Sequence, residues 1–76
     1  MAKIEIDIHG MTVADAKLKL ERLIATLAMN VKEIDVIHGY NQGDALQNMI
    51  RKGLKSKRIK QRILSLNNGI TTLIIE

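Results

Sequence analysis

Seventy-six residues, 8.5 kDa in all, suffice for one hydrophobic core and no second, so the chain is expected to form a single domain over residues 1–76. Ile, Leu and Val supply 24 residues, enough aliphatic surface to exclude a disordered chain; the absence of cysteine excludes disulfides and thiolate zinc sites; and a lone aromatic, Tyr40, disfavours folds that stack bases on several rings. The net charge of +4 points weakly to an anionic partner, and with no apolar run near the ~20 residues of a membrane span, a cytoplasmic protein that does not enter membranes is expected.

Ile4, Ile6 and Ile8 alternate with Lys3, Glu5, Asp7 and His9, the period-two pattern of a strand with one buried face, which Gly10 ends. Thr12 followed by Asp15 is a variant of the capping box. Val13, Ala16, Leu20, Leu23, Ile24 and Leu27 then recur at helical spacing, predicting a first helix over about 13–28, closed by Asn30. The β-branched run within Val31 to Ile37 reads as a second strand. A loop from Gly39 to Gly43 leads to a second amphipathic helix over about 44–55, marked by Leu46, Met49, Ile50 and Leu54 and weakened at Gly53. Ile59 to Leu66 and Ile70 to Ile75 read as two more strands joined through Asn67, Asn68 and Gly69, residues suited to a tight turn. The order is βαβαββ. Two helices cover one face of a four-stranded sheet, giving an α+β two-layer sandwich whose open face is expected to carry Glu5, Asp7, Lys60 and Arg62.

The same His-Gly step ends the first strand, at His9 and Gly10, and the second, at His38 and Gly39. A right-handed crossover makes these strands parallel and brings both exits to one edge of the sheet, where ligands of open α/β sheets bind. Asp7 and His9, two apart, project from one face, and a carboxylate beside an imidazole orients it and stabilises its protonated form. That pair suits general acid–base work or a metal ligand, and the plainer alternative is a polar strand end. His38 reads equally as an assisting imidazole or as a corner ring bonded to backbone.

The loop of Gly39, Tyr40, Asn41, Gln42 and Gly43 opens into a helix, where free N–H groups favour a phosphate, yet it lacks the Lys and Ser/Thr of a P-loop. Asp44 suits a helix cap better than a catalytic acid. Up to Ile50 the chain has five basic and seven acidic side chains; beyond it, seven basic and one acidic. The basic excess sits in Arg51, Lys52, Lys55, Lys57, Arg58, Lys60 and Arg62, with no acid between. Part of this run complements the dipole of the second helix, and the rest fits contact with a phosphate backbone.

These residues carry a resemblance. Ile6-Asp7-Ile8-His9-Gly10-Met11-Thr12 is similar to the LDxHG-hydrophobic-Thr signature of Smr (small MutS-related) domains. Val36-Ile37-His38-Gly39 resembles that family's second motif, and Leu64-Ser65-Leu66-Asn67-Asn68-Gly69 its closing hairpin, so the resemblance spans essentially the whole chain. It implies a fold similar to the C-terminal domain of bacterial translation initiation factor three. It also implies nicking of DNA or cleavage of RNA, in DNA repair and recombination or RNA processing, with Asp7, His9 and His38 in the active site. Ile6 stands where the family has Leu, an apolar exchange on the buried face. In place of the usual HGxG, Asn41 follows Tyr40 and the next glycine is Gly43, which makes the loop either a variant of the same turn or an altered phosphate cradle.

Two histidines with an orienting Asp7 suit metal-free RNA cleavage, whereas nicking DNA usually needs a divalent cation such as Mg²⁺, for which this corner offers Asp7 and His9. The expected protein is thus an endonuclease with Asp7, His9 and His38 at its centre. Gly39, Tyr40, Asn41 and Gly43, together with Arg51, Lys55, Lys57, Arg58, Lys60 and Arg62, would hold the nucleic acid. The alternative is a non-catalytic nucleic-acid or ribonucleoprotein binding module. A monomer, or a weak homodimer paired through an edge strand, is expected.

Overall fold

A computed structural model describes residues 2–39, 45–65 and 69–76. Strand β1 (Ala2–Asp7) is followed by helix α1 (Val13–Ala25), strand β2 (Val31–Ile37), a short helix α2 (Ala45–Asn48) that continues as a π-helical turn (Met49–Gly53), and strands β3 (Ile59–Leu64) and β4 (Ile70–Ile75). The expected βαβαββ order and mixed four-stranded sheet are therefore present. The sheet order is β1-β2-β4-β3, with β1 parallel to β2, and β4 antiparallel to both β2 and β3.

The core lies between sheet and helices. Ile8, Ala16, Leu20, Ile34, Val36, Ile50, Leu54 and Leu73 have no exposed surface at all, and Ile4, Ile6, Leu23 and Leu27 close its margins. Each fully buried Ile or Leu contributes about 1.5–3 kcal/mol of hydrophobic stabilisation, which is how so short a chain holds together without covalent staples. Val13, expected inside, is 40% exposed at the first position of α1, a turn ahead of the buried Ala16.

Both helices differ from their predicted lengths. Thr12 caps α1 as expected, its hydroxyl accepting the Asp15 N–H at 3.2 Å. The helix stops at Ala25 rather than near residue 28, because the Thr26 hydroxyl donates to the carbonyls of Arg22 and Leu23 and ends the ladder. Asn30 therefore lies beyond the helix it was expected to close. In the second helix Leu46, Met49, Ile50 and Leu54 are all buried as the pattern predicts. The Leu54 N–H reaches back five residues to the Met49 carbonyl at 2.7 Å, so the turn widens to a π-turn that places Met49 and Leu54 on the core side together. The expected cap at Asp44 lies outside the described residues.

Strand β3 overturns one placement. Ile59 stands opposite Ile75 and Gln61 opposite Ile74, so Lys60 is the extra residue of a β-bulge. Past the bulge the alternation is inverted: Arg62 faces Leu73, a helix-side position, while Gln61 and Ile63 take the open face. Arg62 thus emerges on the helix side of this edge strand, still exposed, and not on the open face, since a one-residue slip moves every following side chain to the other side. The open face does carry Glu5 and Asp7, alongside Asp35, which accepts from Thr72 at 2.7 Å and from Lys3 at 3.0 Å. No described helix is long and apolar enough to cross a membrane.

Candidate active site

The two His-Gly corners meet at the carboxyl ends of β1 and β2. The Ile8 N–H bonds the Ile37 carbonyl at 2.9 Å, extending the parallel pairing one residue past β1, and the Met11 N–H turns back to the Ile8 carbonyl at 3.1 Å. Gly10 sits inside that turn with φ +78°, a left-handed conformation that side chains resist. Gly39 closes the neighbouring corner with φ +73°, and a Cβ on it would lie 3.5 Å from the His9 Cβ, so the second corner forms a wall beside the first.

Asp7 and His9 cooperate as their spacing predicts. One oxygen of Asp7 accepts both the His9 backbone N–H, at 3.0 Å, and the ring Nδ1–H, at 2.5 Å. The bond from the imidazole, and after it the backbone N–H, holds the Asp7 carboxyl below its usual value, so it is ionised at neutral pH. With Nδ1–H committed to Asp7, the neutral ring carries its lone pair on Nε2, which has no partner among the described residues. The His9 side chain is 68% exposed, so that lone pair is open to an arriving molecule.

His38 is built differently. It is buried at 4% exposure, its Nδ1–H donating to the Gly39 carbonyl at 2.8 Å and its Nε2 accepting the Thr71 hydroxyl at 2.9 Å. Its own N–H and that of Gly39 both bond the Gly69 carbonyl, at 2.8 and 3.0 Å. The ring therefore braces the corner, presenting no free nitrogen. Thr71 escaped the sequence reading. The available signal was a polar residue at a core-facing position of β4, two before Leu73 and four before Ile75, where an unpartnered hydroxyl would be costly.

The basic run divides. Arg58 reaches the Ile24 carbonyl at 2.6 Å, near the C-terminus of α1. Arg62 binds the Ile50 and Leu54 carbonyls, at 2.9 and 2.7 Å, at the end of the second helix. Both arginines thus satisfy helix-end carbonyls from the sheet side. Arg51, Lys52, Lys55, Lys57 and Lys60 are exposed. Register puts Lys57 and Lys60 at the Ile75 end of the sheet, with Lys3 and Lys32 near the starts of β1 and β2, opposite the His-Gly corners. Six-residue strands separate these poles by about 20 Å. A depression of about 750 Å³ lies at this pole, away from His9, lined by Lys3, Lys32 and Lys60 and also by Glu33 and Glu76. Tyr40, Asn41 and Gly43, expected to cradle phosphate, lie outside the described residues.

Among the described residues, the donors for Mg²⁺ at the corner are Asp7 and His9. One Asp7 oxygen is already taken by His9, and no group of three or more His, Asp or Glu able to hold a metal occurs among the described residues. A hard cation that wants several carboxylate oxygens does not fit this donor set.

Comparison with known proteins gives the same picture. Among solved structures, the Smr domain of Thermus thermophilus MutS2 superposes with a TM-score of 0.84 at 26% sequence identity, covering 95% of this chain and 96% of that one. No curated protein matches the chain. The family model for the Smr domain matches residues 6–69, from the strand that carries Asp7 to the glycine whose carbonyl holds the second corner. By that match, over most of its length and through both His-Gly corners, the chain belongs to the Smr domain family.

Proposed function

We propose that the protein binds nucleic acid and nicks it, acting as an endonuclease on DNA or RNA phosphodiesters with His9 as general base. Smr domains are known in nucleic-acid-binding and nicking contexts. The observation that carries the reading is the exposed His9 ring, held by Asp7 so that Nε2 points its lone pair outward at the strand ends.

In this mechanism Nε2 takes the proton of the attacking hydroxyl, the 2′-OH in RNA or a water in DNA, as that oxygen bonds to phosphorus. The bond from phosphorus to the leaving oxygen breaks, and that oxygen takes its proton from solvent. Asp7 stabilises the imidazolium so formed. His38, with both nitrogens engaged, acts by holding Gly39 rather than as a second acid. The donor set does not fit Mg²⁺, and no step here runs through it. Lys57, Lys60 and Lys32, with Arg51 and Lys55, supply the electrostatic hold on the backbone.

The second reading is a non-catalytic nucleic-acid binding module, favoured by one feature, the separation of the basic pole from the His-Gly corners. One experiment tests both. Purified protein and its His9→Ala variant are incubated with labelled single- and double-stranded RNA and DNA, with Mg²⁺ or EDTA, at two salt concentrations. Cleavage by the wild type alone, in EDTA as well, supports the nuclease. Salt-sensitive binding with no cleavage in any lane establishes the binding module and removes His9 from the account.

A further inference from the structure

The buried hydroxyl of Thr71 has one side-chain partner among the described residues, His38, which leads back to the corner. Thr71 is fully buried on β4, paired to Val36 on one side and Leu64 on the other. Its neighbours in the core-facing row are Leu73 and Ile75, so an aliphatic residue would suit the position by packing alone. Instead the hydroxyl reaches His38 Nε2 at 2.9 Å. No buried side-chain nitrogen or oxygen among the described residues lacks a partner, so this link is fully satisfied.

A neutral imidazole has one donor and one acceptor nitrogen, and what bonds one decides the other. The Gly39 carbonyl, 2.8 Å from Nδ1, can only accept, so the neutral His38 ring carries its proton on Nδ1 and takes the Thr71 hydroxyl proton at Nε2. Gly39, at φ +73°, sits beside His9, near enough that a Cβ built on it would lie 3.5 Å from the His9 Cβ. Hydrogen bonds run from Thr71 through His38 to Gly39, the neighbour of His9 across the two corners.

We propose that Thr71 is a positioning residue for His9: its hydroxyl anchors the His38 ring, whose Nδ1–H pins Gly39 in the corner beside His9. This rests on the reading that His9 cleaves, and Thr71 itself touches no substrate. Thr71→Ser keeps the hydroxyl and loses the methyl. Thr71→Val keeps the shape and loses the hydroxyl, and Thr71→Ala loses both.

Two measurements decide it. Amide hydrogen exchange of His38 and Gly39, whose N–H groups bond Gly69, reads opening of the corner without any substrate. Exchange there should quicken about tenfold in Thr71→Val while the amides of β1 and α1 stay as in the wild type, and Thr71→Ser should match the wild type. In the cleavage assay, kcat should fall about tenfold in Thr71→Val with KM within about twofold, and Thr71→Ser should recover it. If Thr71→Val does not fold, the comparison of Thr71→Ser with Thr71→Ala isolates the hydroxyl in the same way. Unchanged exchange in Thr71→Val, or a Ser variant as impaired as the Val or Ala one, overturns the proposal, since the methyl and not the hydroxyl would then be at work. A wild type that cleaves nothing while showing the expected exchange pattern strikes the nuclease reading and leaves the tie from Thr71 to the corner standing.

Discussion

The two poles of this small sheet are held by opposite means. At the His-Gly pole a ring of specific hydrogen bonds, from Asp7 to His9 and from Thr71 through His38 to Gly39, fixes two neighbouring corners and leaves one imidazole nitrogen free. Along the basic run Arg58 is spent on the end of α1 and Arg62 on the end of the second helix, while the side chains of Lys57 and Lys60 at the other pole bond nothing among the described residues. The exposed His9 ring and the exposed lysines thus lie about 20 Å apart, so substitutions at one pole should leave the other's property intact.

The sharpest break is His9→Ala. If the imidazole is the base, cleavage falls by a factor of about 10² to 10⁴ while affinity for a labelled oligonucleotide stays within about twofold. Equal loss of cleavage and affinity would merge the poles. The double change Lys57→Glu and Lys60→Glu should do the reverse: affinity drops at least tenfold at low salt, and the slope of log K against log salt flattens by about two, one for each phosphate contact removed. A slope that stays the same would remove both lysines from the interface.

Within the basic run the arginines and lysines should also part. Arg62→Met leaves two helix-end carbonyls without their charged donor, and a loss of about 1 kcal/mol is expected, seen as a drop of about 4–8 °C in Tm. Lys57→Met, with nothing bonded, should stay within about 0.5 kcal/mol of the wild type. The smallest effect concerns pH. Because the Asp7 carboxyl is held below its usual value when folded, whatever the Asp7–His9 pair adds is present above the unfolded carboxylate value, near 4, and fades as pH falls through the lower folded one. An NMR titration of Asp7 should therefore show its midpoint below that of the same residue in His9→Ala, and equal midpoints would mean the pair does not form in solution.

Much of this was legible in the residues. Ile4, Ile6 and Ile8 announced β1, Thr12 its following helix, and the 31–37 run matched β2 residue for residue, because each signal is local and agrees with its burial. The Asp7–His9 pair was equally readable, since two residues on one side of a strand are adjacent in almost any fold. The roles of His38 and Arg62 were not. Each is decided by a partner 33 or 8 to 12 residues away, and nothing local marks such a partner.

By itself, then, the sequence determined the element order, the buried face of each helix and the family signature, since periodicity and capping are properties of neighbouring residues. Tertiary structure alone decided which histidine is exposed and which is braced, and which cations are tied to helix ends. The bulge at Lys60 is the plainest case. One extra residue in β3 costs no change in hydrophobic pattern that a reader of the sequence would notice, yet it turns Arg62 from the open face to the helix ends, because strand pairing and not composition sets the side of the sheet on which a side chain emerges.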